Sequence, residues 1–198
     1  MWKKHNIYEV ARPEAIELTP KKFFDFQNKK ALMFKDKKPN VAHKKLVDLE
    51  DVFNVFIITQ NIDDLHEKAG SDYVLHIHGV AREAICHKCQ KEVRFEDGIY
   101  GKQCSNCAGG LIRPKLVLFK ERPFYMAQIT RLLKEADLFI QIGTSGEVYP
   151  AADFVRQVSC PTINISLDKP ENNDLFTYSF LGKATNVVPK VVSNLLKK

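Results

Sequence analysis

Residues 52–63, Val-Phe-Asn-Val-Phe-Ile-Ile-Thr-Gln-Asn-Ile-Asp, decide the fold class of this chain. Positions 52–59 are rich in β-branched and aromatic side chains, which predicts a strand buried on both faces of a parallel sheet. Gln60, Asn61 and Asp63 follow the strand directly, where α/β sheets bind ligands. A plain helix N-cap at Asn61 or Asp63 fits equally well, so spacing alone leaves both interpretations open.

Strand and helix patterns alternate along the rest of the chain. Apolar residues recur at helical spacing from 13 to 49, with breaks near Pro20 and Pro39. Further strands are predicted at 74–78, 116–119, 137–142 and 162–167, and further helices at 126–135, 151–158 and 187–196. This alternation predicts an α/β fold with a doubly wound, Rossmann-like parallel sheet.

Two cysteine pairs predict a metal site. Cys86 and Cys89 form one CxxC knuckle, Cys104 and Cys107 form a second, and fourteen residues separate the two. Such spacing lets four thiolates bind one tetrahedral Zn²⁺ ion, and with no open coordination position the metal is expected to be structural. Cys160 stands alone and is expected to be a small buried apolar residue.

Two more strand ends carry groups suited to chemistry. His76 and His78 occupy one of them, and histidine is the side chain that best exchanges protons at neutral pH. Spacing alone leaves His78 open as either a catalytic or a structural residue. Gly143, Thr144 and Ser145 form a glycine-led turn that fits a phosphate or ribose site and equally fits an ordinary loop.

The formal net charge of +6 comes mainly from the first 50 residues, where lysines alternate with apolar residues at helical spacing. This pattern favours a solvated helix face over nucleic-acid binding. The sequence has no apolar run of membrane-spanning length and no secretory apolar core after the N-terminus. A cytoplasmic monomer is therefore expected.

The order of the short motifs is similar to the sirtuin signature. The motifs are TQNID at 59–63, HG at 78–79, the two CxxC pairs, IRPxxVLFxE at 112–121, IGTS at 142–145 and VYPAA at 148–152. The chain is thus identified by resemblance as a sirtuin, an NAD-dependent protein-lysine deacylase with a zinc ribbon. The resemblance implies that the acyl group passes to ADP-ribose, that nicotinamide leaves, and that acylated-lysine proteins are the substrates.

The resemblance also implies roles for individual residues. His78 would be the general base, with Asn61 and Asp63 beside it. The other implied NAD contacts are Gln60 for the nicotinamide side, Gly143, Thr144 and Ser145 for the adenosine side, Asn164 and Ser166 for the adenine ribose, and Ala184 for the adenine. The substrate peptide would add a strand between two segments, represented by Val117, Phe119 and Glu121 on one side and Gly146 and Val148 on the other.

Three departures from the family pattern are present. The chain begins after the usual first βα unit with its glycine turn, so an incomplete sheet, an incomplete NAD pocket and weak NAD binding are expected. Lys120 stands where relatives have a small glycine. Gln27 and Lys30 stand where the branch that removes acidic acyl groups has Tyr and Arg. These two residues are therefore expected to line the acyl pocket, but without the planar guanidinium that binds a carboxylate through two hydrogen bonds.

The expected division is a zinc-ribbon insertion at 80–111 within a Rossmann-like domain formed by 1–79 and 112–198. Two other functions compete with deacylation. One is an inactive zinc-ribbon interaction module of sirtuin ancestry. The other is transfer of ADP-ribose to protein by the same NAD chemistry.

Overall fold

The computed structural model describes residues 6–145 and 149–197. The chain divides into two compact units. Unit 1 contains the residues up to Lys37, Thr59–Asp64 and His76–Phe124, and unit 2 contains Lys38–Ile58, Leu65–Leu75 and the residues from Tyr125 onward. Among the described residues, no helix combines the length and the apolar character needed to cross a membrane.

The helices are α1 (Ile7–Val10), α2 (Ala15–Leu18), α3 (Pro20–Phe34), α4 (Val41–Val47), α5 (Leu65–Ala69), α6 (Met126–Glu135) and α7 (Ala184–Leu195), with 3-10 helices at Ala151–Gln157 and Asn173–Leu175. The strands are β1 (Ile57–Thr59), β2 (Val74–His76), β3 (Gly79–Cys86), β4 (Glu92–Val93), β5 (Ile112–Leu116), β6 (Phe139–Ile142), β7 (Thr162–Ser166) and β8 (Tyr178–Leu181). β1 pairs with β2.

Unit 2 contains a three-stranded parallel sheet. Its order is β6-β7-β8, with Phe139 opposite Thr162 and Ile163 opposite Tyr178. All five residues of β7 are buried, as expected for a strand flanked on both sides. The apolar core of this unit is formed by Ala42, Leu49, Ile163, Ile165, Val188 and Val192. The predicted α/β class with a parallel sheet is confirmed.

Unit 1 contains a smaller antiparallel sheet of order β4-β3-β5. Cys86 in β3 lies opposite Ile112 in β5, and at the other end Gly79 lies opposite Leu116. Helix α3 is tied to this unit by Asn28, whose side chain bonds both the carbonyl and the N–H of Tyr100 at 2.9 and 3.2 Å. Phe23 and Phe24 of α3 share an apolar core with Ile112 and Leu118.

The strand predicted at 52–59 is mostly wrong, because only Ile57–Thr59 is a strand. The N–H groups of Val52 and Phe53 both bond the carbonyl of Leu49, so these residues continue a turn after α4. Their side chains are 64% and 46% exposed. A run of β-branched and aromatic residues therefore forms a strand only where a neighbour supplies backbone partners.

Other boundaries also differ from the sequence-based expectation. The strand predicted at 116–119 is Ile112–Leu116, which includes Pro114 and is tolerated because β5 is an edge of its sheet. Residues 151–157 form a 3-10 helix and not an α-helix. Strand β8 was not expected, since all four of its residues are exposed.

Gly79 generates a prediction about stability. Its φ is +79°, and a Cβ atom there would lie 2.0 Å from the Lys115 carbonyl oxygen, which is backbone and cannot swing away. We expect Gly79→Ala to lower the free energy of unfolding by about 3 kcal/mol or more, measured by urea denaturation. Gly98→Ala is the matched control, because Gly98 has φ +76° and no atom within 4 Å, so only about 1 kcal/mol is expected. Equal losses in the two variants would contradict the steric argument.

Candidate functional site

The four cysteines of the CxxC pairs converge in unit 1. Their sulfur atoms all lie within 4.8 Å of one another. The Sγ atoms of Cys86 and Cys107 are 3.6 Å apart, and those of Cys89 and Cys104 are 3.9 Å apart. A tetrahedral Zn²⁺ with Zn–S bonds of about 2.3 Å requires S–S edges of about 3.8 Å. The cluster therefore fits zinc, which the four thiolates would hold in a structural role.

Neighbouring N–H groups favour the thiolate form of Cys89, whereas burial raises the pKa of the Cys107 thiol to about 12. Asn106 donates its backbone N–H to Cys104 Sγ at 3.3 Å and its side-chain amide to Cys89 Sγ at 3.6 Å. The backbone N–H of Lys91, together with Asn106, lowers the pKa of the Cys89 thiol to about 6. A Cβ atom on Gly110 would lie 2.5 Å from Cys86 Sγ, so only glycine leaves room for the cluster.

His78 lies in the turn between β2 and β3 and is half-buried. Its Nδ1 atom is 3.2 Å from the carbonyl oxygen of Gln60. A carbonyl can only accept, so Nδ1 carries the hydrogen in the neutral ring and Nε2 is left as the atom that can take up a proton. His76 differs, because it is 6% exposed and its Nδ1 lies 3.0 Å from the Asn61 carbonyl. His78 is therefore the better placed of the two for proton transfer.

The segment after β1 presents a buried donor. The Nε2 atom of Gln60 is buried and has no hydrogen-bond partner among the described residues. A buried amide without a partner costs free energy unless a ligand oxygen accepts its hydrogen bond. The Asn61 N–H bonds Thr59 Oγ1 at 3.0 Å and fixes this turn, in which Asn61 is exposed and Asp63 is half-buried. The arrangement fits a polar ligand at Gln60.

Unit 2 contains a cleft of about 320 Å³. It opens at the carboxyl ends of β6 and β7 and at the first residues of α7. It is lined by Gly143, Ile165, Ser166, Leu167, Gly182, Lys183, Ala184 and Thr185. The surface that lines this cleft is almost entirely apolar, so the cleft suits the apolar face of a ligand.

Three residues expected at the cofactor thus share one cleft, namely Gly143, Ser166 and Ala184. Asn164 lies behind them. Its side chain is fully buried and donates to Ser166 Oγ at 2.9 Å and to Ser179 Oγ at 3.0 Å. Ser166 Oγ in turn donates to the Asp168 carbonyl at 2.7 Å, so Asn164 orients Ser166. Thr144 and Ser145 follow Gly143 at the end of β6.

Lys183 and Thr185 were missed by the sequence analysis. The apolar pattern placed the start of the last helix at 187, whereas α7 begins at Ala184. The signal that could have found them is Gly182, which has φ +149° and ends β8 just before the helix. A glycine between a strand and a helix marks the loop where ligands bind.

The segment after β5 contacts the His78 turn. The Val117 N–H donates to the His78 carbonyl at 3.0 Å, and the Phe119 N–H donates to the Ala11 carbonyl at 2.9 Å. The Phe119 side chain is half exposed, and Glu121 forms an ion pair with Arg113. The other two residues expected to bind the peptide, Gly146 and Val148, lie outside the described residues.

Gln27 and Lys30 lie one turn apart on α3, and both are buried. Gln27 Nε2 donates to the Val10 carbonyl at 2.7 Å, while its Oε1 is buried without a partner in the described part of the chain. Lys30 is 7% exposed, its Nζ lies 5.5 Å from the centre of the Phe26 ring, and burial lowers its pKa to about 8. These two side chains present one buried acceptor and one buried cation.

Comparison with known proteins finds relatives of similar sequence and structure. The Sir2 family model matches residues 1–150. The NAD-dependent protein deacylase SIR2rp3 of Leishmania major is 38% identical over 210 residues, covering 100% of this chain and 86% of the relative. A solved Sir2 homologue–NAD complex matches with a TM-score of 0.89 and 31% identity, covering 100% of this chain and 80% of that one. A structure of Sir2 bound to acetylated peptide matches with a TM-score of 0.82 and 28% identity, covering 94% and 83%.

The cysteine geometry predicts the metal content of variants. We expect the purified chain to contain about one zinc ion and Cys104→Ser to lose most of it, because three thiolates leave the tetrahedral site open. Inductively coupled plasma mass spectrometry measures the ratio of zinc to protein. Cys160→Ser is the matched control and should keep its zinc, since Cys160 is outside the cluster. A zinc-free wild type, or equal loss in both variants, would contradict the assignment.

Lys30 predicts a pH-dependent stability. Its pKa falls from 10.5 to about 8 on folding, so below pH 8 the folded chain bears the cost of a buried charge. Above pH 8 folded Lys30 loses its proton, and the cost disappears as the pH approaches 10.5. Lys30→Met should therefore raise the free energy of unfolding more at pH 7 than at pH 10, by up to about 3 kcal/mol.

Urea denaturation of both proteins at the two pH values measures this difference. Lys29→Met is the matched control, because Lys29 is exposed on the same helix and its replacement should have little effect at either pH. A gain that is the same at pH 7 and pH 10 would show that Lys30 is not charged at a buried position.

Proposed function

The chain belongs to the Sir2 family, and we propose that it removes acyl groups from lysine side chains of proteins with NAD as co-substrate. The observation that carries the proposal is the His78 turn. In it the Nδ1 atom of a half-buried imidazole lies beside the Gln60 carbonyl, which leaves Nε2 without the ring hydrogen. The Nε2 atom of the Gln60 side chain is buried and has no hydrogen-bond partner in the described part of the chain. Acylated proteins are the substrates.

NAD, when bound, supplies an activated ribose carbon that takes the acyl oxygen as nicotinamide leaves. Gln60 Nε2 donates its hydrogen bond to an oxygen on the nicotinamide side, and Asn61 and Asp63 complete the polar surroundings. The lack of a partner for Gln60 Nε2 among residues 6–145 and 149–197 supports this assignment. It is the kind of buried donor that a bound ligand satisfies.

The adenosine side is assigned to residues at the ends of β6 and β7 and at the start of α7. Gly143, Thr144 and Ser145 contact it at the end of β6, Ser166 binds a ribose hydroxyl, and Ala184 packs against the base. The cleft supports the roles of Gly143, Ser166 and Ala184, which line it, and the roles of Thr144 and Ser145 rest on the family resemblance. Asn164 acts through Ser166, because its own side chain is fully buried and already bonded.

His78 serves as general base and takes up a proton at Nε2. The positive charge that forms is stabilised because Nδ1–H already donates to the Gln60 carbonyl. This hydrogen bond also fixes the ring in one orientation. His78 therefore needs no change of tautomer during the reaction.

The peptide is held by backbone pairing with the segment 117–121, opposite Gly146 and Val148. The carbonyls of Val117 and Phe119 serve as acceptors, because their N–H groups already bond His78 and Ala11. Gln27 and Lys30 line the acyl end, and their buried acceptor and cation support an acyl chain that carries a polar group. The proposed enzyme acts as a monomer and does not bind nucleic acid. Residues 80–111 form its zinc-ribbon insertion, and 1–79 with 112–198 form the Rossmann-like domain.

The role of His78 is tested by substitution. We expect His78→Ala to slow deacylation of an acetylated peptide by roughly 10²- to 10⁴-fold, because the general base is lost, while NAD binding measured by calorimetry is unchanged. Mass spectrometry of the peptide follows the reaction. His43→Gln is the control and should keep its activity, since the glutamine can still accept the hydrogen bond from the Asn40 N–H.

Two results would overturn the proposal. One is an unimpaired His78→Ala variant. The other is a wild-type chain that binds NAD and leaves the peptide acylated. Transfer of label from adenine-labelled NAD to protein would instead identify ADP-ribosylation as the reaction.

A further inference from the structure

The carboxylate of Glu121 bonds groups of its own segment, 117–121, and of the neighbouring strand β5. Glu121 Oε1 lies 2.9 Å from Arg113 Nη1, and Glu121 Oε2 accepts from Arg113 Nη2 at 3.2 Å. The same Oε2 accepts the backbone N–H of Leu118 at 2.8 Å. The Glu121 N–H closes the turn by donating to the Leu118 carbonyl at 2.9 Å. Both oxygens of Glu121 therefore bind groups of this chain.

Two backbone hydrogen bonds also hold the segment 117–121 in its turn conformation. The Val117 N–H bonds the His78 carbonyl, and the Phe119 N–H bonds the Ala11 carbonyl. Lys120 has φ +77°, a conformation that costs a non-glycine residue free energy. A turn with such a residue persists only where its surroundings hold it, and Glu121 is the group that closes it.

Arg113 fixes the position of the Glu121 carboxylate. We call the Arg113–Glu121 ion pair, together with the hydrogen bond from the Leu118 N–H, the clamp. Its side chain is about nine-tenths buried, and it lies in β5 opposite Ile85 of β3. A bidentate pair between guanidinium and carboxylate fixes both position and angle. Removal of the carboxylate would leave Arg113 as a buried charge without its partner, so the pair is costly to break from either side.

We propose that Glu121 is a positioning residue of the deacylase. Its carboxylate holds the backbone of 117–119 in the shape that presents the carbonyls of Val117 and Phe119 to the substrate peptide, since the three N–H groups of this segment are bonded within the chain. Glu121 does not itself contact the peptide. The inference rests on the proposed function and adds to it, because the Glu121 side chain faces Arg113 and the Leu118 N–H. The role of Glu121 is thus exerted through Leu118 and Val117.

Kinetics of Glu121→Ala and Glu121→Gln test the role in substrate binding. Glu121→Ala should raise the KM for an acetylated peptide about tenfold, the effect of losing one charge-assisted hydrogen bond, while kcat and the KM for NAD stay unchanged. Glu121→Gln should have a smaller effect, because its amide oxygen can still accept the Leu118 N–H. Glu17→Ala is the control, since Glu17 is an exposed carboxylate in the same unit.

Amide hydrogen exchange tests the clamp without any enzymatic activity. The Leu118 amide should exchange about tenfold faster in Glu121→Ala than in the wild type or in Glu17→Ala. If the wild type shows no deacylation while this exchange rises, the proposed function fails and the clamp stands. Unchanged exchange, or a fall in kcat at constant peptide KM, overturns the positioning role. If Glu121→Ala does not fold, Glu121→Asp carries the same two measurements, because the shorter side chain keeps the charge beside Arg113 and draws the carboxylate away from the Leu118 N–H.

Discussion

The antiparallel pairing of β3 with β5 is the constraint on which the chemistry of unit 1 depends. At one end of this ladder Cys86 lies opposite Ile112 and enters the cysteine cluster, and at the other end Gly79 lies opposite Leu116. Gly79 approaches the Lys115 carbonyl so closely that no side chain fits. The adjacent His78 is thereby held next to the Gln60 carbonyl. The cysteine cluster and the His78 turn therefore lie at opposite ends of one pair of strands, whose register shifts between Gly79 and Ala84.

Within each unit, polar groups are delivered by the ends of strands. In unit 1, Gln60 and Asn61 follow β1, and His78 follows β2. In unit 2, Gly143 follows β6, and Ser166 ends β7 beside the start of α7. The carboxyl end of a strand suits this task because the rigid backbone fixes where the next side chain lies. Binding free energy is then not spent on ordering loops.

The sequence predicted what local spacing determines. The metal site could be predicted from the spacing of the two CxxC pairs alone. Helix α6 was predicted with its observed bounds because its apolar period is regular. Residues 52–56 were predicted wrongly, since strand propensity does not supply a partner strand. The start of β5 was missed because Pro114 argues against a strand, and only the edge position in the sheet permits it. That Asn164 acts through Ser166 depends on packing that no sequence pattern reveals.

The stoichiometry of the reaction tests the central claim most directly. The zinc-loaded chain would be incubated with NAD and an acetylated peptide, and free nicotinamide and deacylated peptide would be quantified in the same samples. The account predicts that the two products appear in a one-to-one ratio and that neither appears when the other substrate is left out. Deacylated peptide formed without NAD, or nicotinamide released with no loss of the acyl group, would contradict it.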